Sequence, residues 1–226
     1  MKKLISANRK KIIIISLLLG LMLIIGSIIT VVLVRNIPSE KTILTVGKTD
    51  VSYGEFSLLA DGLKTDIVTY FYSTHNVNEG IDFWDKDSDF GGETPLEVLK
   101  EKTIEAAKEI KIEQQLMVEY GVIEKSDMQF STFQKLLKEE NKRRNDIIKS
   151  GGEVYGPEKY TESGYYQYLH SIRLQELREA IFKQSGSDNT EERFENTLLD
   201  ELKKDYEKKI TVEKNEAVLS RIDSFS

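Results

Sequence analysis

Residues 42–56 read Thr-Ile-Leu-Thr-Val-Gly-Lys-Thr-Asp-Val-Ser-Tyr-Gly-Glu-Phe, and the change of pattern within them decides the fold. Thr42–Val46 alternates weakly and is rich in β-branched residues, as a half-buried strand is. Gly47-Lys48-Thr49-Asp50 has the composition of a turn. Ser52 with Glu55 three positions later forms a capping box, in which the serine accepts from a first-turn N–H and the glutamate reaches back. Phe56, Leu59, Leu63, Ile67 and Phe71 then recur at helical spacing, and the helix is expected to fade near His75.

The same two signals, period and cap, carry the rest of the chain. Asn76–Glu93 is polar and glycine-containing, with Phe83, Trp84 and Phe90 embedded, and reads as a long loop. Thr94-Pro95-Leu96-Glu97 starts a helix, with Pro at its first position and Glu at its third. Leu96, Leu99, Thr103, Ala106, Ile110 and Met117 keep the period to Tyr120, and Gly121 is the natural stop. Ser126 with Gln129 opens a third helix carrying Phe130, Phe133, Leu137 and Ile148, interrupted by the charged stretch Lys138–Arg144 and ended by Gly151-Gly152. Val154-Tyr155-Gly156-Pro157 is a loop. Thr161 caps a fourth helix with Tyr165, Leu169, Ile172, Leu177 and Ile181. After a linker at Ser185–Asn189, Phe194, Leu198, Leu202 and Tyr206 step by four in a fifth. Ile210-Thr211-Val212 is a candidate second strand and Asn215–Ile222 a last short helix. The fold class is therefore mainly α, a multi-helix domain over residues 42–226 with up to two short strands.

Ahead of this domain, Ile12–Val34 is a run of 23 uncharged residues, eighteen of them Ile, Leu, Val or Met. At about 1.5 Å per residue a helix of that length crosses a hydrocarbon core of about 30 Å. Lys2, Lys3, Arg9, Lys10 and Lys11 precede it and only Arg35 follows closely. The positive-inside bias keeps residues 1–11 cytoplasmic, makes 12–34 a transmembrane helix in contact with the lipid bilayer, and sends linker 35–41 and the domain outside. A cleaved signal peptide fits less well, because its apolar core is shorter and Ser27-Ile28-Ile29-Thr30 is a poor cleavage site. The absence of cysteine excludes a lipoprotein anchor.

Charge divides at the same place. Residues 1–39 carry six basic and no acidic side chains; the remainder carries 26 basic and 38 acidic ones, a net −12. Such a domain is repelled by nucleic acid, which is excluded as a partner. Without cysteine there is neither a disulfide framework nor thiolate chemistry. His75 and His170 are the only histidines, and each is expected to pack on a helix rather than to ligate or catalyse. Asp85, Asp87 and Asp89 place oxygens as a calcium loop does, but Phe90 stands where glycine is required and Leu96 where the bidentate glutamate belongs. No phosphate cradle occurs. No catalytic residue, metal or cofactor is assigned.

Aromatic residues remain. Tyr70, Phe71 and Tyr72 cluster, as do Phe83 and Trp84, and Tyr155, Tyr160, Tyr165, Tyr166 and Tyr168 form a third group. Tyrosine combines contact area with a hydroxyl and little entropy loss, which suits adaptable binding of polypeptide. Tyr72, Phe83, Trp84, Tyr155, Tyr165, Tyr166 and Tyr168 are the candidate peptide-binding residues. Packing into the core is the competing role for each of them.

A membrane segment followed by Val46-Gly47-Lys48-Thr49-Asp50-Val51-Ser52-Tyr53-Gly54-Glu55-Phe56 resembles the opening of extracytoplasmic foldases of the SurA/PrsA type. Phe83-Trp84-Asp85, Thr94-Pro95 through Leu99-Lys100-Glu101, and Val154-Tyr155-Gly156-Pro157 through Tyr165-Tyr166 resemble Gram-positive members of that family. The resemblance implies a SurA-N-terminal-like helical chaperone domain at residues 42–226, with unfolded or secreted polypeptides as partners. The parvulin prolyl isomerase domain usually inserted there is missing, since fewer than ten residues separate the fourth and fifth helices. Its histidines and Gly-Gly-Asp-Leu-Gly-like turn are missing too, so no isomerase activity is implied. The expectation is a membrane-anchored, non-catalytic chaperone. A structural or scaffold subunit of a cell-envelope or secretion complex is the alternative.

Overall fold

The structure, a computed structural model, describes residues 37–185 and 192–222, with side chains in the last long helix from residue 197 onward. The apolar run at 12–34 and the tail before it lie outside the described residues, as do residues 186–191. Among the described residues no helix is long and apolar enough to cross a membrane.

Thr42–Val46 forms strand β1 and Thr49–Ser52 strand β2. The expected four-residue turn is corrected: only Gly47 and Lys48 turn, with Val46 opposite Thr49. A two-residue hairpin needs a left-handed first position, and Gly47 supplies it at a φ of 63°. A third strand, β3 at Val212–Lys214, pairs antiparallel with the other side of β1, so the order is β2-β1-β3. The expectation of at most two strands missed β2. The third strand also starts later than Ile210, because that side chain packs into the helical core instead.

Helix α1 spans Tyr53–His75. Ser52 Oγ accepts from the Glu55 N–H at 3.3 Å, while the N–H groups of Tyr53 and Gly54 donate to Lys41 O at 2.8 Å and Ser39 O at 2.9 Å. The end of the expected linker 35–41 is thus the backbone cap of α1. Glu55 does not reach back to Ser52, as a capping box would require; it is buried with only 2 % of its surface exposed. The helix ends at Asn76, which adopts a left-handed φ of 55°.

Helix α2 spans Pro95–Glu119 and starts where Thr94-Pro95 places it, although Thr94 forms no side-chain cap and Glu97 pairs with Lys100 at 2.8 Å. At its far end Gly121 N–H donates to Val118 O at 3.1 Å and Val122 N–H to Met117 O at 2.8 Å. That is a Schellman closure built on a left-handed Gly121. The third helix does not open at Ser126. Lys125–Met128 forms a 3₁₀ turn, and α3 runs from Phe130 to Lys149. Asp127 accepts from the Glu124 N–H at 3.0 Å and so caps the turn rather than α3. Helix α4, Glu162–Ser185, is capped as expected, Thr161 Oγ1 accepting from Gly164 N–H at 3.1 Å. Helix α5 spans Glu192–Glu207, and α6, Glu216–Leu219, is shorter than expected.

Helix α2 is the centre of the packing, touching α1, α4, α5, β1 and the 3₁₀ turn. Ile112, Leu116 and Met117 meet Leu177 and Ile181 of α4 and Leu199 of α5 in one core. Phe130 and Phe133 of α3 meet Tyr165 and Tyr166 of α4 in a second. A third, aromatic group staples the loop after α1. Phe83 stands edge-on to Phe71, with centroids 5.7 Å apart, and lies stacked on Phe90 at 5.9 Å.

Gly54 tests how tightly α1 sits on α3. Alanine gains about 1 kcal/mol of helix propensity, but its Cβ would lie 2.7 Å from Phe130 Cε1. Overpacking of that kind costs about 1–3 kcal/mol, so Gly54→Ala is expected to lower the urea midpoint despite its better intrinsic propensity.

Candidate functional site

The first turn of α1 points Glu55 inward, between α2 and α4. Its Oε1 accepts from Lys111 Nζ of α2 at 2.8 Å and from the Tyr166 hydroxyl of α4 at 2.8 Å. Lys111 Nζ also donates to Gln114 Oε1 at 3.0 Å and to the backbone oxygen of Met128 at 3.0 Å. An ammonium has three N–H groups, and all three are placed. Side-chain exposure is 1 % for Lys111 and 3 % for Glu55, so the pair is desolvated. Burial, and then the Glu55 carboxylate beside it, push the Tyr166 hydroxyl well above its ordinary pKa. Glu55 Oε2 has no hydrogen-bond partner among the described residues. Glu55, Gln114, Tyr166 and His170 line a void of about 20 Å³, room for one water molecule.

On the other side of Glu55 an open cleft of about 580 Å³ lies between β2 and the start of α3. Lys48, Thr49, Asp50 and Ser52 form one wall; Lys125, Ser126, Gln129, Ser131 and Gln134 form the other; Met128 and Phe130 add apolar surface. The lining is hydroxyl, amide and backbone, with two lysines set against Glu40 and Asp50. It holds no pair of groups arranged as nucleophile and base.

Both histidines join elements. His170 Nε2 of α4 lies 2.9 Å from Glu113 Oε2 of α2, and Lys203 of α5 meets the same carboxylate at 2.7 Å. Burial pushes the Glu113 pKa up, but the hydrogen bonds from His170 and Lys203 outweigh it and hold the group below the usual carboxylate range. Nearby, Tyr206 of α5 donates to Glu119, and that bond, with some burial, pushes its pKa up to about 12. His75 closes α1 at 3.1 Å from Glu93 Oε2, which also accepts from Tyr70 at 2.8 Å. Among the described residues no group of His, Asp and Glu side chains is arranged to hold a metal ion.

The seven candidate aromatics are not brought together. Phe83, Tyr165 and Tyr166 are buried. Trp84 is half-buried against Phe83, with Nε1 donating to Glu79 at 2.7 Å. Tyr72, Tyr155 and Tyr168 are exposed, on α1, on the loop after α3 and on α4. Tyr168 stacks on Tyr160 with centroids 5.3 Å apart. The loop bearing Tyr155 is held from inside the charged stretch of α3. Arg144, only 5 % exposed, donates to Tyr155 O at 2.9 Å and Pro157 O at 2.6 Å and lies 4.4 Å over the Tyr160 ring. Asn141 completes the clamp by exchanging two hydrogen bonds with the Tyr160 backbone.

Sequence reasoning missed Glu55, Lys111 and Arg144 as structural residues. A signal existed for Lys111: Leu96, Leu99, Thr103, Ala107, Lys111 and Gln114 step along one buried stripe of α2, and a lysine on such a stripe demands a buried acceptor.

No protein-family model matches the chain, and neither any curated protein nor any solved structure matches it significantly.

Removing one member of a buried ion pair strands the other and costs about 3–5 kcal/mol, whereas replacing both with apolar residues is often nearly neutral. Lys111→Met alone is therefore expected to destabilise severely, and Glu55→Leu/Lys111→Met to recover most of the loss. Urea unfolding of both variants checks this, and a double variant as unstable as the single would refute the pairing.

Proposed function

We propose that this chain is a membrane-tethered holder of unfolded or secreted polypeptide outside the cytoplasmic membrane, working without prolyl isomerase catalysis. Residues 12–34 anchor it, and the domain from residue 42 to 226 makes the contacts. The observation that carries this reading is the cleft beside β2. It is open, about 580 Å³ in volume, and lined by groups that bond to any main chain, with the nearly buried Met128 and Phe130 giving a narrow apolar strip. Sequence-independent holding needs that combination, main-chain partners with a modest apolar contact. Exposed Tyr72, Tyr155 and Tyr168 add adaptable contact area beyond the cleft. Tethering raises the local concentration of such sites near an emerging chain, which compensates for weak single contacts. The buried titratable groups Glu55, Lys111 and Glu113 join helices, in keeping with binding rather than chemistry.

One observation favours the alternative of a scaffold subunit in a cell-envelope or secretion complex. The exposed large apolar residues Tyr72, Ile81 and Tyr155 lie on three separate segments, α1, the loop after it and the loop after α3, as scattered contacts for a specific partner would.

The full chain in lipid nanodiscs, mixed with aggregating reduced α-lactalbumin, separates the two. Holding predicts suppressed light scattering at a few-fold excess of the protein. No suppression at that excess, with a single stoichiometric envelope protein co-purifying instead, would assign the scaffold role.

A further inference from the structure

We propose that the open edge of β2 takes up an extended, uncharged polypeptide segment as an added strand of the sheet; this rests on the holding function proposed above. Among the described residues strand β2 pairs with β1 on one side and with no strand on the other. Facing pairs alternate along an antiparallel ladder between hydrogen-bonded and non-bonded ones, and residues of a non-bonded pair turn their N–H and C=O away from each other. The alternation is fixed here by β3. Gly47 N–H donates to Thr211 O at 2.8 Å and Asn215 N–H to Ile43 O at 2.8 Å, so Thr45, midway between Ile43 and Gly47 and opposite Glu213, turns its backbone to β3. Asp50 is the partner of Thr45 on β2 and therefore turns its own N–H and C=O to the open side. Neither group has a partner among the described residues.

That edge is also one wall of the cleft, so the space a further strand needs is present. The chemistry selects the occupant. An outward N–H and C=O on one residue match the spacing of an extended backbone laid along the edge. Around them Lys48 and Lys125 balance Glu40 and Asp50, so the rim favours neither sign of charge on the incoming chain. Met128 and Phe130 offer a small apolar contact for a side chain pointing inward. Edge-to-edge pairing with a second copy is opposed by the net −12 of the residues after 39. A four-residue edge forms few bonds, so the added strand is held weakly and released readily, as a holder of unfolded chains requires.

Amide exchange on the full chain in nanodiscs, with an end-capped ten-residue peptide of alternating Ser and Val, which carries no charge, as the probe, tests this. The Asp50 amide is expected to exchange at least about tenfold more slowly with the probe bound, while Thr49 and Val51, already in the ladder, change little. Asp50→Pro removes the outward donor at a position where an edge strand tolerates proline. It is expected to weaken probe binding about tenfold while the Thr49 and Val51 amides keep their protection, which shows that the hairpin still forms. Probe binding that leaves the Asp50 amide unprotected and survives Asp50→Pro would overturn the added strand while leaving the holding function standing. Absence of probe binding to the unmodified chain would overturn both. Protection that appears without probe and grows with protein concentration would assign the edge to a second copy and overturn the proposal.

Discussion

The buried Lys111 ammonium has three N–H groups, and the fold supplies each with an acceptor from a different place. Glu55 comes from α1, Gln114 from the next turn of α2, and the Met128 oxygen from the 3₁₀ turn before α3. Tyr166 of α4 then shares the Glu55 oxygen. A charge in such surroundings is tolerable only while its partners are in place. The centre therefore contributes less to net stability than to uniqueness, because any packing of α1, α2, α3 and α4 that leaves Lys111 unmatched is heavily penalised. Apolar contact alone, through the two cores either side of α2, tolerates small shifts in register. The hydrogen bonds of Lys111 do not.

This constraint also builds the cleft. Strand β2 runs directly into α1 through Ser52, so fixing Glu55 fixes the edge of the sheet. The Met128 oxygen that accepts from Lys111 belongs to the opposite wall. One buried amine thus ties together the two surfaces that face each other across the cleft. A pre-formed cleft loses less entropy on binding than one assembled by its ligand. The second polar centre, Glu113 with His170 and Lys203, performs the same registration for α4 and α5 against α2, nearer the surface.

Much of the architecture is written locally and so could be read. Pro95, Gly121 and Thr161 act within a turn of where they stand, and the helix limits they imply agree with the structure at α2 and α4. The failures are equally physical. Ser52 and Glu55 have capping-box spacing, but the tertiary demand of Lys111 takes Glu55 away, and the backbone of residues 39–41 caps the helix instead. Ser126 and Gln129 look like a helix start, yet Asp127 bonds locally to Glu124 and delays α3 to Phe130. Thr49 and Asp50 have turn composition, but Gly47 allows a two-residue hairpin and frees them to pair. Among the candidate site residues the aromatic clustering was legible and its direction was not. On α4 Tyr168 lies nearly a full turn from Tyr165, with centroids 6.2 Å apart, and about half a turn from Tyr166, so sequence alone leaves open which faces inward. Arg144 was hidden for the opposite reason: it sits among charged neighbours that are solvated, and only the returning loop at Tyr155–Tyr160 buries it.

If the Lys111 centre registers the helices as described, they cannot open separately, since any one leaving would expose the others' partners. Native-state hydrogen exchange under increasing urea measures this directly. Slowly exchanging amides around Glu55 in α1, Lys111 in α2 and Tyr166 in α4 should share one opening free energy, equal to that of global unfolding. Exchange of the α1 amides through a separate, lower-energy opening while α2 and α4 stay protected would contradict the account.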